Sequence, residues 1–152
     1  MSSVIYLAGP LFTQAEREWN VRIATGLREA GFTVILPQER AEEVIQPDAP
    51  LPVRLLYEYA LDGIQEADVV VAILDGSDPD SGTSFECGYA HAIGRPLIGL
   101  RTDIRLGGDD SAYNVNLMLS QAAQAFVCTA STDLQELVES VTTAINAVAS
   151  PA

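Results

Sequence analysis

The stretch that decides the fold is Asp68-Val69-Val70-Val71-Ala72-Ile73-Leu74, followed after a short gap by Asp80-Ser81-Gly82-Thr83-Ser84-Phe85-Glu86-Cys87-Gly88-Tyr89-Ala90. The first part is a continuous apolar and largely β-branched run, typical of a central parallel strand that is covered on both faces. The gap, Asp75-Gly76-Ser77-Asp78-Pro79, consists of turn residues. The sequence therefore predicts a buried strand, a loop and then a helix.

Glu86 is the most suggestive residue of this stretch. The helical pattern begins at about Thr83 and ends at Gly94, which predicts Glu86 in the first helical turn. That turn would lie at the carboxyl end of a central strand, where open α/β sheets bind their ligands. A first-turn glutamate also has an ordinary structural explanation, because anions favour the amino end of a helix. Both interpretations stay open at this point.

The rest of the chain repeats the alternation of strand and helix. Thr13 and Glu16 form a capping-box pattern before the first helix, which Gly31 ends, and Thr132 with Gln135 forms a cap pattern before the last helix. Strands are predicted at residues 4–8, 32–36, 68–74, 96–100 and 125–128. Helices are predicted at about 13–30, 51–65, 83–93, 114–123 and 132–148, with long loops at 41–50 and 102–112.

Five such alternations predict an α/β, doubly wound (flavodoxin- or Rossmann-like) five-stranded parallel sheet in the order 2-1-3-4-5, with helices on both faces. Residues 1–152 suit a single domain with one core. The first and third strands are then neighbours, and their carboxyl ends form the ligand crevice. The side chains and turn residues expected at this crevice are Tyr6, Gly9, Phe12, Gln38, Asp75, Asp80 and Glu86.

Composition narrows the possible partners. The net charge is −13 and the chain contains no lysine, so a phosphate-rich nucleic acid would be repelled. No apolar run approaches the roughly 18 residues of a membrane span, and no basic region precedes the first apolar stretch. With no CxxC pair and one histidine, a metal site is not expected. We expect a cytoplasmic protein that binds small molecules and neither nucleic acid nor membrane.

The motifs of several enzyme classes are absent from the sequence. It has no GxGxxG, no Walker P-loop and no GxSxG elbow, which argues against dinucleotide binding, triphosphate binding and serine hydrolysis. The crevice offers carboxylates, one tyrosine and one phenylalanine instead. Paired carboxylates serve glycosidic chemistry, in which one of them can attack the anomeric carbon and hold the sugar covalently. Glycosyl transfer or hydrolysis is therefore the hypothesis that the residues themselves support.

Three stretches carry a resemblance to a known family. Ile5-Tyr6-Leu7-Ala8-Gly9-Pro10-Leu11-Phe12-Thr13 resembles the opening of nucleoside 2-deoxyribosyltransferases. The stretch from Asp80 to Ala90 looks like the family's nucleophile motif, with Glu86 at the position of the catalytic glutamate, and Asn116-Leu117-Met118 resembles a third family element. The resemblance implies base exchange on 2′-deoxyribonucleosides through a covalent deoxyribosyl-glutamate intermediate, with retention and without a cofactor.

The opening motif supplies three further candidates. The resemblance implies that Tyr6 hydrogen-bonds Glu86 and holds its carboxylate in line; the alternative is a tyrosine packed in the sheet. Phe12 is the ring expected to stack on the base, although it could equally be a hydrophobic staple beside the Thr13 cap. Gly9 belongs to the same motif and is assigned to substrate binding.

Four polar residues complete the set of candidate substrate ligands. Asp80 matches the family aspartate that binds deoxyribose hydroxyls, or is simply a turn residue or helix cap. Gln38 is assigned to the base edge because an amide both donates and accepts, although a loop glutamine is usually just solvated. Asp62 falls in a helix that resembles a base-contacting family segment, whose aspartate aligns with Ala60. Asn116 is implied to enter a neighbouring subunit's active site, so a homo-oligomer (a dimer, or a hexamer built as a trimer of dimers) is expected.

Two other functions remain open from the sequence. A related branch of the fold hydrolyses the N-glycosidic bond of 2′-deoxynucleoside 5′-monophosphates and has serines where this chain has Asp80 and Asn116. A carboxylate at Asp80 would repel a 5′-phosphate dianion, so a free nucleoside is the preferred substrate. The other alternative is a nucleoside-binding domain without catalytic activity on the same scaffold.

Overall fold

A five-stranded parallel sheet forms the centre of the computed structural model, which describes residues 2–131 and 133–149. The strand order is β2-β1-β3-β4-β5, which confirms the predicted doubly wound fold and its topology. Each pair of neighbouring strands runs parallel, and β1 lies between β2 and β3. The strands are β1 Val4–Ala8, β2 Thr33–Ile35, β3 Val69–Ile73, β4 Leu97–Arg101 and β5 Ala125–Cys128.

Helices cover both faces of this sheet. Two of them, α1 and α6, pack on one face, and α3, α4 and α5 pack on the other. Within residues 2–131 and 133–149, no helix combines the length and apolar character needed to cross a membrane. The helices are α1 Gln14–Glu29, α2 Pro37–Val44, α3 Val53–Glu66, α4 Ser81–Ala92, α5 Leu117–Ala122 and α6 Leu134–Ala149.

The pleat of β1 decides which face each of its side chains joins. Successive residues of a strand point to opposite faces, so Ile5 and Leu7 enter the core beneath α1 and α6. Tyr6 and Ala8 enter the core beneath α3, α4 and α5. β3 is buried at all five positions, as expected of a central parallel strand. The register therefore directs the Tyr6 ring toward the same side of the sheet as α4.

Two predicted helix boundaries are set by local signals. The Thr13 side chain accepts from the backbone N–H of Glu16, and the Glu16 carboxylate accepts from the backbone N–H of Thr13, so the predicted capping box is present. Gly31 and Gly94 follow their helices with φ of +98° and +74°, a conformation that favours glycine. The predicted cap at Thr132 lies outside the described residues.

The predicted loop at 41–50 is wrong in its first half. Residues 37–44 form α2, with Pro37 in its first turn, where a missing N–H costs nothing. The segment is rich in Glu, Arg and Ala, which are good helix formers, but it has few apolar residues to give a periodic signal. The sequence pattern therefore resembled a loop.

Two other boundaries shift by a few residues because of capping side chains. Asp80 caps α4, so the helix begins at Ser81 instead of Thr83 and Glu86 is its sixth residue. The prediction that Glu86 lies in the first turn is therefore wrong; it lies in the second. Asn116 caps α5, which begins at Leu117 and is shorter than the predicted 114–123.

Candidate active site

Tyr6 and Glu86 form a direct contact at the carboxyl side of the sheet. The Tyr6 hydroxyl donates a hydrogen bond of 2.6 Å to Oε1 of Glu86, linking β1 to α4. The Tyr6 ring is fully buried, and a Cβ on Gly63 of α3 would lie 2.9 Å from its Cε2. Only glycine permits α3 to approach the ring this closely. The ring is thus wedged between sheet and helix, which fixes the direction of its hydroxyl.

The surroundings of Glu86 favour its neutral form. Burial raises the pKa of Glu86 to about 7; the Tyr6 hydrogen bond opposes this shift, and the negative charge of Asp80 adds to it. Burial, the charge of Glu86 and the shared hydrogen bond raise the pKa of Tyr6 well above its usual value. Tyr6 therefore keeps its proton as a donor at neutral pH. The ionised Glu86 carboxylate is poorly hydrated, which suits a nucleophile.

Asp80 combines a capping role with proximity to Glu86. Its Oδ2 accepts from the backbone N–H of Thr83 at 2.8 Å and from the Thr83 hydroxyl at 3.1 Å, which is the helix-cap alternative considered above. Its charge nevertheless contributes to the raised pKa of Glu86. Among the residues that the structure describes, Oδ1 of Asp80 has no hydrogen-bond partner, so it is available to a ligand hydroxyl.

Asn116 faces a different side of α4. Its Oδ1 caps α5 by accepting from the N–H of Met118 at 2.9 Å. Asn116 lines a cavity of about 570 Å³ between α4 and α5, together with Ser84 and His91. The residues of α4 at this cavity recur at helical spacing and mark one face, whereas Glu86 is not among the described lining residues. Within its own chain, Asn116 therefore faces away from the Tyr6–Glu86 pair.

Phe12 and Gln38 lie together at another cavity, of about 660 Å³, beside α1 and α2. Phe12 is 73% exposed, whereas Gln38 is only 4% exposed. The Gln38 amide accepts from Nδ2 of Asn20 at 3.1 Å and donates to the carbonyl of Arg17 at 3.0 Å. These two bonds use one N–H and one oxygen lone pair of the amide and hold the Gln38 side chain in place. Neither member of the Tyr6–Glu86 pair is among the described residues that line this cavity.

Gly9 and Asp62 occupy very different surroundings. A Cβ on Gly9 would lie 3.1 Å from Cδ1 of Ile73, so a glycine allows the turn after β1 to pass close to β3. Asp62 is exposed on α3 and has no described contact with the Tyr6–Glu86 pair. Ala60 of the same helix lines a small cavity beside Tyr6. The role of Asp62 in base binding thus stays a prediction that this placement does not favour.

Asp75 was expected at the crevice but serves as a link between loops. Its carboxylate accepts from the N–H of Thr102 at 2.6 Å and from the N–H of Asp103 at 2.9 Å. These bonds tie the loop after β3 to the loop after β4. Asp75 therefore supports the segment that leads into Asp80.

Arg40 is the residue near the pair that sequence reasoning missed. It lies in α2 and lines the small cavity beside Tyr6 together with Tyr59 and Ala60. The sequence pattern places Arg40 only in the chain that leaves the second strand, just before the predicted loop at 41–50, so it offers no helix face on which to place this residue. Pro37 is the sequence signal that could have placed Arg40 on a helix, because proline is favoured at the first position of a helix. Within the part of the chain that the structure describes, no group of three or more His, Cys, Asp or Glu side chains is arranged to hold a metal ion.

A doubly wound sheet with a half-buried carboxylate at its carboxyl edge defines the general class, an α/β protein with a candidate ligand crevice at its strand ends. Comparison with known proteins identifies the family. The family model described as nucleoside 2-deoxyribosyltransferase matches residues 5–118. The chain belongs to this family, whose members act on nucleosides and nucleobases. The resemblance inferred from the three motifs is thereby confirmed.

Individual relatives differ in the activity their names state. A protein of Thermofilum pendens with the provisional name 2′-deoxynucleoside 5′-phosphate N-hydrolase 1 is 32% identical over 103 residues, covering 67% of this chain and 70% of the relative. A conserved protein from Enterococcus faecalis V583 superimposes with a TM-score of 0.76 at 26% identity, covering 95% and 99% of the two chains. A 2-deoxyribosyltransferase from Bacillus psychrosaccharolyticus shares the fold with a TM-score of 0.71 at 23% identity, covering 90% of each chain.

Proposed function

We propose that this protein is a nucleoside 2-deoxyribosyltransferase, which exchanges the base of 2′-deoxyribonucleosides with Glu86 as the nucleophile. The observation that carries the proposal is the half-buried Glu86 carboxylate, whose Oε1 accepts a 2.6 Å hydrogen bond from the Tyr6 hydroxyl. Membership of the nucleoside 2-deoxyribosyltransferase family supports the substrate class. The direct test mixes deoxyinosine with free adenine and measures deoxyadenosine and hypoxanthine by chromatography. Binding of deoxyinosine without any product would favour the non-catalytic alternative.

Two displacements at C1′ account for the exchange. A carboxylate oxygen of Glu86 bonds to C1′ while the C1′–N bond breaks, and its electron pair leaves with the base, which takes up a proton. A ring nitrogen of the second base then attacks C1′ from the face that the first base left. The C1′–O bond to Glu86 breaks, and the second base loses one proton. Configuration is retained because there are two inversions.

Electrostatics favour a free nucleoside over a nucleotide. Asp80 adds negative charge beside Glu86, and the whole chain carries a net charge of −13. A 5′-phosphate dianion brought into this crevice would be repelled. The second candidate, hydrolysis of 2′-deoxynucleoside 5′-monophosphates, is favoured by the provisional name of the relative that is 32% identical. The two candidates are therefore distinguished by substrate.

The double substitution Asp80→Ser with Asn116→Ser tests this preference. The wild-type protein is expected to exchange bases on nucleosides and to leave 5′-monophosphates intact. The double variant should gain relative activity on monophosphates by on the order of tenfold, because it removes a repelling charge. Parallel assays with deoxyinosine and its 5′-monophosphate measure the ratio of kcat/KM, and Asp48→Ser, a change in an exposed turn, is the control. Faster cleavage of the monophosphate by the wild-type protein would overturn the transferase assignment.

Tyr6→Phe tests how Glu86 is held and charged. Glu86 must be ionised to attack, so the rate should rise with pH through about 7, the pKa of Glu86. The Tyr6 hydrogen bond opposes the upward shift, so its loss should move this acidic limb to higher pH. Without the Tyr6 hydroxyl the Glu86 carboxylate is no longer oriented, which should also lower kcat by roughly 10–100-fold with little change in substrate binding.

A matched control lies on the same helix as Glu86. Tyr89 accepts a hydrogen bond from Gln65 and has no described contact with Glu86, so Tyr89→Phe should keep the wild-type pH profile. Profiles of kcat/KM from pH 5 to pH 9 compare the two variants. If Tyr6→Phe matches the wild type in both kcat and its acidic limb, Tyr6 is only a packing residue.

We also propose that active sites are shared between subunits of a homo-oligomer. Asn116 faces away from Glu86 of its own chain, as described above, and would bind the sugar in a partner's crevice. The apolar residues beside it are exposed, with Leu117 at 45% and Met118 at 72%. A contiguous exposed apolar patch commonly marks an interface, and these two residues are adjacent in the chain.

A further inference from the structure

A narrow cavity adjoins Tyr6 between α2 and α3, and its contents bear on substrate choice at the proposed transferase site. Its walls are largely apolar and aromatic, and its volume is about 20 Å³. That is room for one water-sized group, not for a ring. Among the described residues at this cavity, Arg40 alone carries a charge. The lining residues are Tyr6, Ile35, Pro37, Arg40, Ala41, Leu56, Tyr59 and Ala60.

Arg40 is held at this cavity by a weak contact. Its Nη2 lies 3.0 Å from Oε2 of Glu66, and the two side chains are 33% and 57% exposed. An ion pair this exposed is weak, so the guanidinium can exchange partners easily. The positive charge of Arg40 is felt at Tyr6, whose pKa it lowers against the larger raising effects. Arg40 is therefore a partly sheltered cation within electrostatic reach of the residue that holds Glu86.

The chemistry of arginine restricts what this cavity can accept. A guanidinium has five N–H donors and no acceptor, so it complements oxygen or unprotonated nitrogen and not an amino group. The cavity has room for a single oxygen atom but not for the flat ring that would carry it. A nucleobase carbonyl meets both conditions and, unlike a phosphate, brings no charge to be repelled by Glu86.

We infer, on the basis of the proposed transferase function, that Arg40 selects bases bearing an exocyclic keto oxygen, such as hypoxanthine, over bases bearing an amino group there, such as adenine. When the C1′–N bond breaks, its electron pair enters the base and part of the negative charge moves onto the keto oxygen. An N–H of Arg40 donates to that oxygen and stabilises the charge. An exocyclic amino group in the same place would put donor against donor.

The test compares Arg40→Met with Glu66→Gln. Arg40→Met should lower kcat/KM for deoxyinosine by about tenfold more than for deoxyadenosine, the expected effect of one lost specific hydrogen-bonding pair. Glu66→Gln removes the ion pair but leaves the guanidinium free, so it should keep the wild-type preference. Arg40→Lys should retain part of the preference because it keeps a cationic donor.

Three outcomes would overturn the inference. The first is an equal loss of kcat/KM on both nucleosides in Arg40→Met, and the second is a Glu66→Gln variant that reproduces the effect of Arg40→Met. The third is a loss of kcat/KM confined to 5′-monophosphates, which would assign Arg40 to a phosphate. Affinities for free hypoxanthine and free adenine, measured by calorimetry on the same variants, test Arg40 without turnover. If wild-type protein binds hypoxanthine more tightly than adenine through Arg40 yet exchanges no base, the transferase proposal fails while the role of Arg40 stands.

Discussion

Replacement of Glu86 by alanine is expected to lower the rate of base exchange by on the order of 10⁴-fold while the fold is preserved. The carboxylate is the proposed nucleophile, and no other described side chain accepts the Tyr6 hydrogen bond in its place. Initial rates of deoxyadenosine formation from deoxyinosine and adenine measure the effect. Glu139 is an exposed glutamate on the opposite face of the sheet, so Glu139→Ala is the matched control and should retain activity. Near-wild-type exchange by Glu86→Ala would remove Glu86 from the mechanism.

The stability of a Glu86→Gln variant tests whether burial disfavours the charged form of Glu86. The pKa of Glu86 is raised from its ordinary value of 4.5 to about 7, so the folded state favours the neutral acid. This contribution to stability is fully present below pH 4.5 and is lost as pH rises through about 7. Glutamine stays neutral, so the variant should unfold at a higher temperature than the wild type at pH 8 and at a similar temperature at pH 4. At pH 8 the free energies of unfolding of the two proteins should differ by at most about 3 kcal/mol. Equal melting temperatures at pH 8 would contradict the burial effect.

Mixing two inactive variants is expected to restore activity if sites are shared. Glu86→Ala and Asn116→Ala should each be nearly inactive alone. After subunit exchange, random pairing gives half mixed dimers, and one of the two sites in each mixed dimer combines an intact Glu86 with an intact Asn116. Activity should therefore recover to about a quarter of the wild-type value. Subunit exchange is followed by native mass spectrometry, and the rate is measured on the same sample.

The control for this experiment mixes Glu86→Ala with Glu86→Gln. Every site in that mixture lacks the nucleophile, so no activity should return whatever the pairing. Absence of rescue in the first mixture despite demonstrated exchange would reject the shared site. A fully active monomer in sedimentation experiments would reject it as well.

Much of the fold was predictable because its signals are local. β3 is a continuous apolar run, the Thr13–Glu16 capping box starts α1, and Gly94 ends α4 with positive φ. Such signals act within a few residues of the chain and do not depend on the packing of distant elements. The strand order then follows from the alternation of strand and helix, because crossover connections restrict the possible topologies.

The predictions were wrong or undecided where the local sequence signal was weak, or where one residue type suits two different structural roles. α2 has a polar surface and little apolar periodicity, so its second half, residues 41–44, was predicted as part of the loop at 41–50. Gln38 was assigned to the base edge, with a solvated loop side chain as the alternative, yet packing buries it against Asn20. Asp80 could be a cap or a ligand, and the structure shows that its cap uses only one of the two carboxylate oxygens.

The sequence alone determined the parallel sheet, its strand order and the position of Glu86 on the helix after β3, because apolar strand runs and the turn residues behind them can be identified from neighbouring residues. Only the tertiary structure decided that the Tyr6 hydroxyl meets Glu86, that Arg40 lies beside that pair, and that Asn116 faces away from it. These relations join residues far apart in the chain, and they depend on the register of β1 and the close approach of α3 at Gly63. The raised pKa of Glu86 arises from the same packing, because burial of the carboxylate is its largest cause.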